Sequence, residues 1–156
     1  GGGALMDINV YNIHLAVGLF GMPKGVTYFA NVKNDIDTSG ILNLDYDEMK
    51  VVCIGAKDSS SDNQSYIQGE NATIHIKGPT NELKAFDLTF NDGGTQSYQV
   101  NQQKHRMYEE FVKMVQIIND KNFDLAEEKL EHSIQVIEVL ELALDSANIK
   151  VGPSLK

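Results

Sequence analysis

The 156-residue chain, 42% hydrophobic, is long enough for one ordinary globular domain with a buried core. A formal net charge of −9, with 13 scattered basic residues, excludes a nucleic-acid binder, because phosphate contacts need clustered Lys and Arg. No apolar run approaches the roughly 20 residues of a membrane span, so no membrane partner is expected, and the acidity suits a cytoplasmic protein.

The chain opens on Gly1-Gly2-Gly3 without an initiator Met, as expected of a fragment that begins inside something larger. Residues 4–20 then read as a helix. Leu5, Ile8, Ile13, Ala16, Leu19 and Phe20 recur at three- and four-residue spacing, and Gly21 with Pro23 stops the run.

From residue 25 to 100 the period becomes two. Strands are expected over Val26–Lys33, Ile41–Tyr46, Met49–Ala56, Ser65–Gln68, Ala72–Lys77, Leu83–Phe90 and Gln96–Val100. Turn-like connections are Asp37-Thr38-Ser39-Gly40, Gly78-Pro79-Thr80-Asn81 and Asn91-Asp92-Gly93-Gly94, short enough to favour an antiparallel meander. The lone Cys53, in Val51-Val52-Cys53-Ile54, reads as a buried, inert thiol, and 57–63 as a polar mobile loop.

Beyond residue 101 the helical period returns. Met107, Phe111, Val115 and Ile118 form one stripe. Ala126, Leu130, Ile134, Ile137, Leu140 and Leu144 form another, on a longer helix ending before Gly152-Pro153. The element order is α+β: a large, mostly antiparallel sheet with helices packed on one face. Val26, Tyr28, Ala30 and Val32 share one face of their strand while Phe29 points to the other, so the open face is expected to pack on a second domain or subunit.

Phosphate loops are excluded, since the triple glycine follows no strand and no Walker Lys is present. His14, His75, His105 and His132 lack ligand spacing, and the Asp58/Asp62 loop lacks the pattern of a calcium loop, so no metal is expected. Asp7, Tyr11 and His14 remain, at i, i+4 and i+7 on one helix face. Spacing alone leaves a structural reading open, with Asp7 placed by the helix dipole, Tyr11 a core aromatic and His14 capping a carbonyl. A Tyr beside a carboxylate can also move protons, provided a cation stabilises the phenolate, and no Lys precedes it here.

The opening Gly-Gly-Gly-Ala-Leu-Met-Asp-Ile-Asn-Val-Tyr resembles the start of the C-terminal domain of the glucose–fructose oxidoreductase/inositol dehydrogenase family (Gfo/Idh/MocA), whose pattern is close to G-G-G-x-L-x-D-x-G-x-Y/H. Three further stretches fall in the family's order: Asp37–Leu44 like its strand-opening turn, Ile67–Ile74 like its I-x-G-x-x-G-x-I hairpin, and Ile137–Ala147 like its closing helix. The resemblance implies that residues 1–156 are a single C-terminal, substrate-binding and oligomerisation domain. The N-terminal Rossmann domain, with the cofactor (NAD or NADP) and a catalytic Lys from an E-K-P motif, would be missing; no cofactor is expected in this fragment, which alone would be inactive.

By the same resemblance Tyr11 is the proton-transferring residue, Asp7 orients substrate and His14 falls where relatives touch substrate. Asn9 stands in place of the usual Gly close to that site and would alter substrate fit; Asn71 departs from a second Gly. The implied activity is hydride exchange between a nicotinamide and a sugar-like or cyclic alcohol. The implied partners are the missing Rossmann domain, a polyol or sugar, and further copies in a homodimer or homotetramer built on the open sheet face. Two other readings remain: a non-catalytic regulator or sensor with the same body, and a free-standing α+β ligand-binding domain.

Overall fold

The computed structural model describes residues 2–150; Gly1 of the opening glycines and the Gly152-Pro153 stop lie outside the described residues. A π-helical turn, Leu5–Asn9, runs into α1 (Val10–Phe20). Seven strands follow: β1 (Gly25–Lys33), β2 (Ile36–Asp45), β3 (Lys50–Ala56), β4 (Gln64–Gln68), β5 (Ala72–Lys77), β6 (Ala85–Phe90) and β7 (Thr95–Gln99). Two helices close the chain, α2 (Tyr108–Asp120) and α3 (Phe123–Ser146).

The class is α+β and every strand pairing is antiparallel, in sequential meander order. The strands expected in one large sheet divide into two, β1-β2-β3 and β4-β5-β6-β7. Between them the polar residues after β3 carry no strand until Gln64, so the hydrogen-bond ladder is not continued from one meander to the next. The chain correspondingly forms two compact units: residues up to Ser60 together with those from Ala126 onward, and Ser61–Leu125. Among the described residues no helix is long and apolar enough to cross a membrane.

In the first unit, Leu42 and Leu44 of β2, Cys53 of β3 and Tyr28 of β1 turn one sheet face into the core. Ile13, Ala16 and Val17 of α1 and Val136, Val139, Leu140, Ala143 and Leu144 of α3 cover it. The buried face of α3 is thus the 136/139/140/143/144 stripe. Of the stripe expected on this helix, Leu140 and Leu144 are buried, whereas Leu130, Ile134 and Ile137 are exposed, as is Leu19 of α1. Leu140 and Leu144 are common to the expected and the buried faces, and packing against the sheet turns the remainder toward Val136, Val139 and the small Ala143, which admits close approach.

The β1–β2 connection is Asn34-Asp35, both with positive φ (54° and 62°). Asn and Asp tolerate that conformation, and consecutive left-handed residues match the twist of a tight hairpin. The turn expected at Asp37-Thr38-Ser39-Gly40 is therefore strand: all four residues belong to β2. Pairing runs Asn31↔Ser39 and then Val32↔Asp37, so Thr38 is an extra residue, a β-bulge. Across the opposite face Phe29, Ile41 and Ile54 stand in one exposed cross-strand row.

In the second unit the β4–β5 hairpin lies where the sequence places it, closed by the Gly69 N–H donating to the Ala72 carbonyl at 2.9 Å. Phe86 stacks on Tyr98 across β6 and β7 at 4.8 Å between ring centres. The expected stripe of α2 is present, but Phe111, Val115 and Ile118 are exposed.

Candidate functional site

The glycine lead ends against a buried carboxylate. Asp37, 3% exposed, projects from β2 beneath the start of the helical segment. Its Oδ2 accepts the Leu5 N–H at 2.7 Å and the Tyr28 hydroxyl at 2.9 Å. A strand residue thereby satisfies an N–H that a helix start leaves without a partner, and the negative charge suits the positive end of the helix dipole. A Cβ built on Gly3 would lie 1.5 Å from Asp37 Oδ1, so only glycine allows this approach. Tyr28 reaches the same carboxylate by crossing Gly40, whose own Cβ would fall 2.4 Å from the ring. Burial, with the adjoining carboxylate, pushes the Tyr28 hydroxyl far above its ordinary pKa. In the sequence the signal for this arrangement is glycine placement, and Asp37 itself stands in turn-like composition.

On this capped start sits Asp7, its side chain 63% exposed and its Oδ2 2.6 Å from Lys57 Nζ. The hydrogen bond from Lys57, and then its charge, hold the Asp7 carboxyl below the usual carboxylate range. Lys57 also donates to the Gly2 carbonyl at 2.9 Å. In the sequence it reads as part of a polar loop.

Tyr11 lies one turn on, at the start of α1, and is 41% exposed, which rules out the core-aromatic alternative. His14 turns toward α3, its Nδ1 3.0 Å from His132 Nε2, with ring centres 5.1 Å apart. The i, i+4, i+7 alignment holds for an unbroken α-helix, whereas Asp7 belongs to a wider π turn that alters its angular offset from Tyr11. Asp7 is engaged by the segment after β3 and His14 by α3, with Tyr11 between them in sequence.

Asn9, expected to line the substrate site, is completely buried. Its amide donates to the Cys53 carbonyl at 3.2 Å, and its Oδ1 accepts from Asn12 Nδ2 at 2.7 Å. A Cβ on Gly55 would come within 3.1 Å of it. Asn9 therefore ties the π turn to β3, and its burial leaves no surface for a substrate. Among the described residues, no group of three or more His, Cys, Asp or Glu is placed to hold a metal ion.

No protein-family model matches the chain. It is 32% identical over 144 residues to the scyllo-inositol 2-dehydrogenase (NADP(+)) IolU of Bacillus subtilis, covering 90% of this chain and 43% of that protein. It is 33% identical over 104 residues to the oxidoreductase YgjR of Escherichia coli, covering 66% of this chain and 31% of that protein. The chain thus spans less than half the length of these relatives. Among solved structures, an aldose-aldose oxidoreductase from Caulobacter crescentus, complexed with glycerol, superposes with a TM-score of 0.73 at 16% identity. That match covers 94% of this chain and 46% of the other, and the likeness is one of fold.

Proposed function

We propose that this chain, a relative of the Gfo/Idh/MocA oxidoreductases, is the C-terminal, substrate-facing domain of an NAD(P)-dependent oxidoreductase acting on a sugar-like or cyclic alcohol. The observation that carries the reading is the opening segment. It holds an exposed Tyr11 and an ionised, exposed Asp7 on a helix start anchored by buried Asp37.

Among the described residues, the glycine lead does not serve a dinucleotide phosphate. The position beside the glycine lead, where a phosphate would sit on a helix N-terminus, is filled by the Asp37 carboxylate. NAD or NADP would be held outside these residues. The roles within the chain are then narrow: Tyr11 moves the proton of the reacting hydroxyl, while Asp7 accepts a hydrogen bond from a neighbouring hydroxyl and orients the ring. His14, tied to His132, borders the same segment and contributes shape to the substrate side.

In the full-length oxidoreductase, Tyr11→Phe lowers kcat by about 10²-fold or more, the scale of a lost acid–base group, without loss of fold by circular dichroism. Turnover at the parent rate would overturn the assignment. The exposed row Phe29, Ile41 and Ile54 supports self-association through the open face of β1-β2-β3, as a dimer or tetramer. Sedimentation of the full-length protein as a monomer would contradict it.

A further inference from the structure

Lys57 links the end of β3 to the start of the chain. Its backbone is fixed: it follows β3 directly, and its N–H donates to the Thr38 carbonyl at 2.8 Å, prolonging the β2–β3 pairing by one step. Its side chain, 35% exposed, reaches back to the start of the chain. There the ammonium bridges two points five residues apart, the Gly2 carbonyl at 2.9 Å and Asp7 Oδ2 at 2.6 Å. The bridge spans the helix entry at the place where the π turn loosens the spacing.

An exposed carboxylate on a flexible side chain samples several rotamers and offers a substrate hydroxyl a poorly placed acceptor. A lysine anchored on a sheet edge removes that freedom, and using Oδ2 leaves the carboxylate exposed enough for a second partner. We propose that Lys57 is a positioning residue: it fixes the rotamer of the Asp7 carboxylate, so that Asp7 can receive a polyol hydroxyl. This rests on the substrate-orienting role assigned to Asp7 above.

Three variants of the full-length oxidoreductase test it: Lys57→Met, Lys57→Arg and Asp7→Asn, each assayed for NADP-linked oxidation of a cyclic polyol across pH. Lys57→Met is expected to raise KM about 10-fold with kcat little changed, the pattern of lost binding shared by ground and transition states. The acidic limb of kcat/KM moves upward in pH, because the lowered carboxyl returns toward its ordinary value. Lys57→Arg restores both. Carboxyl-carbon NMR titration of Asp7 gives a readout independent of turnover, with its midpoint rising in Lys57→Met. Should Asp7→Asn weaken substrate binding while Lys57→Met leaves KM, the acidic limb and the Asp7 titration unmoved, the Lys57 proposal is overturned alone. If Asp7→Asn is itself silent, the substrate role of Asp7 falls and this proposal with it.

Discussion

Gly3 and Asp37 occupy one corner of the first unit, where a single added carbon on the glycine would sit 1.5 Å from the carboxylate oxygen. Gly3→Ala must displace Asp37 and so breaks its hydrogen bonds to the Leu5 N–H and the Tyr28 hydroxyl. Bonds to a charged acceptor contribute about 1.5–3 kcal/mol each, so a destabilisation of about 2 kcal/mol or more is expected. Gly2 is the milder comparison, because its added Cβ would come no nearer than 3.2 Å, to Met6 Cβ, and asks for a shift of only a few tenths of an ångström. Denaturant midpoints for the two alanine variants should differ clearly; equal midpoints would refute the close-approach account.

Two residues of the apolar stripe read from spacing on α3 differ in what they hold. Leu140 is buried in the core and Ile134 is exposed. Leu140→Ala should cost about 2–5 kcal/mol through lost burial and a cavity. Ile134→Ala, away from the core, should stay within about 0.5 kcal/mol. Thermal unfolding of both decides the matter, and a reversed order would contradict the burial of Leu140.

Cys53 is buried, and burial pushes its thiol up from 9.0 to about 11. It should resist thiol reagents at neutral pH in the folded protein and react promptly once the chain is unfolded, because only the thiolate attacks. The sign of the linkage follows. Above pH 9 the unfolded chain releases this proton while the folded chain keeps it, so stability falls as pH rises toward 11. Tyr28, also raised, acts in the same direction. Rapid labelling of the native protein at pH 7 would contradict the burial.

Local patterning made the strands, the three helices and the Gly69 hairpin legible, because period two and period 3.6 are written residue by residue. What escaped depends on partners distant in the chain. Asp37 looks like turn composition until Asn34 and Asp35 take the turn instead. Asn9 looks like a substitution beside the site until Cys53, 44 residues on, accepts its amide. Lys57 reads as one charge among polar neighbours until folding brings Gly2 and Asp7 to it. The roles proposed for Tyr11 and Asp7 come from the family motif, since helical spacing gives three polar residues several structural uses.

The bulge at Thr38 has a reach its position does not suggest. In a regular strand, residue 37 would share the outward face with Ser39 and Ile41, because alternation has no other outcome. The one unpaired residue shifts the phase of the alternation at the strand's beginning and leaves the rest unaltered. Asp37 consequently falls on the side of Leu42 and Leu44, facing inward. The anchoring of the segment that carries Asp7 and Tyr11 is therefore decided by a count: ten residues in β2 where perfect pairing would have taken nine. Thr38 accomplishes this through length, and its hydroxyl takes only an exposed bond to the Asn31 carbonyl.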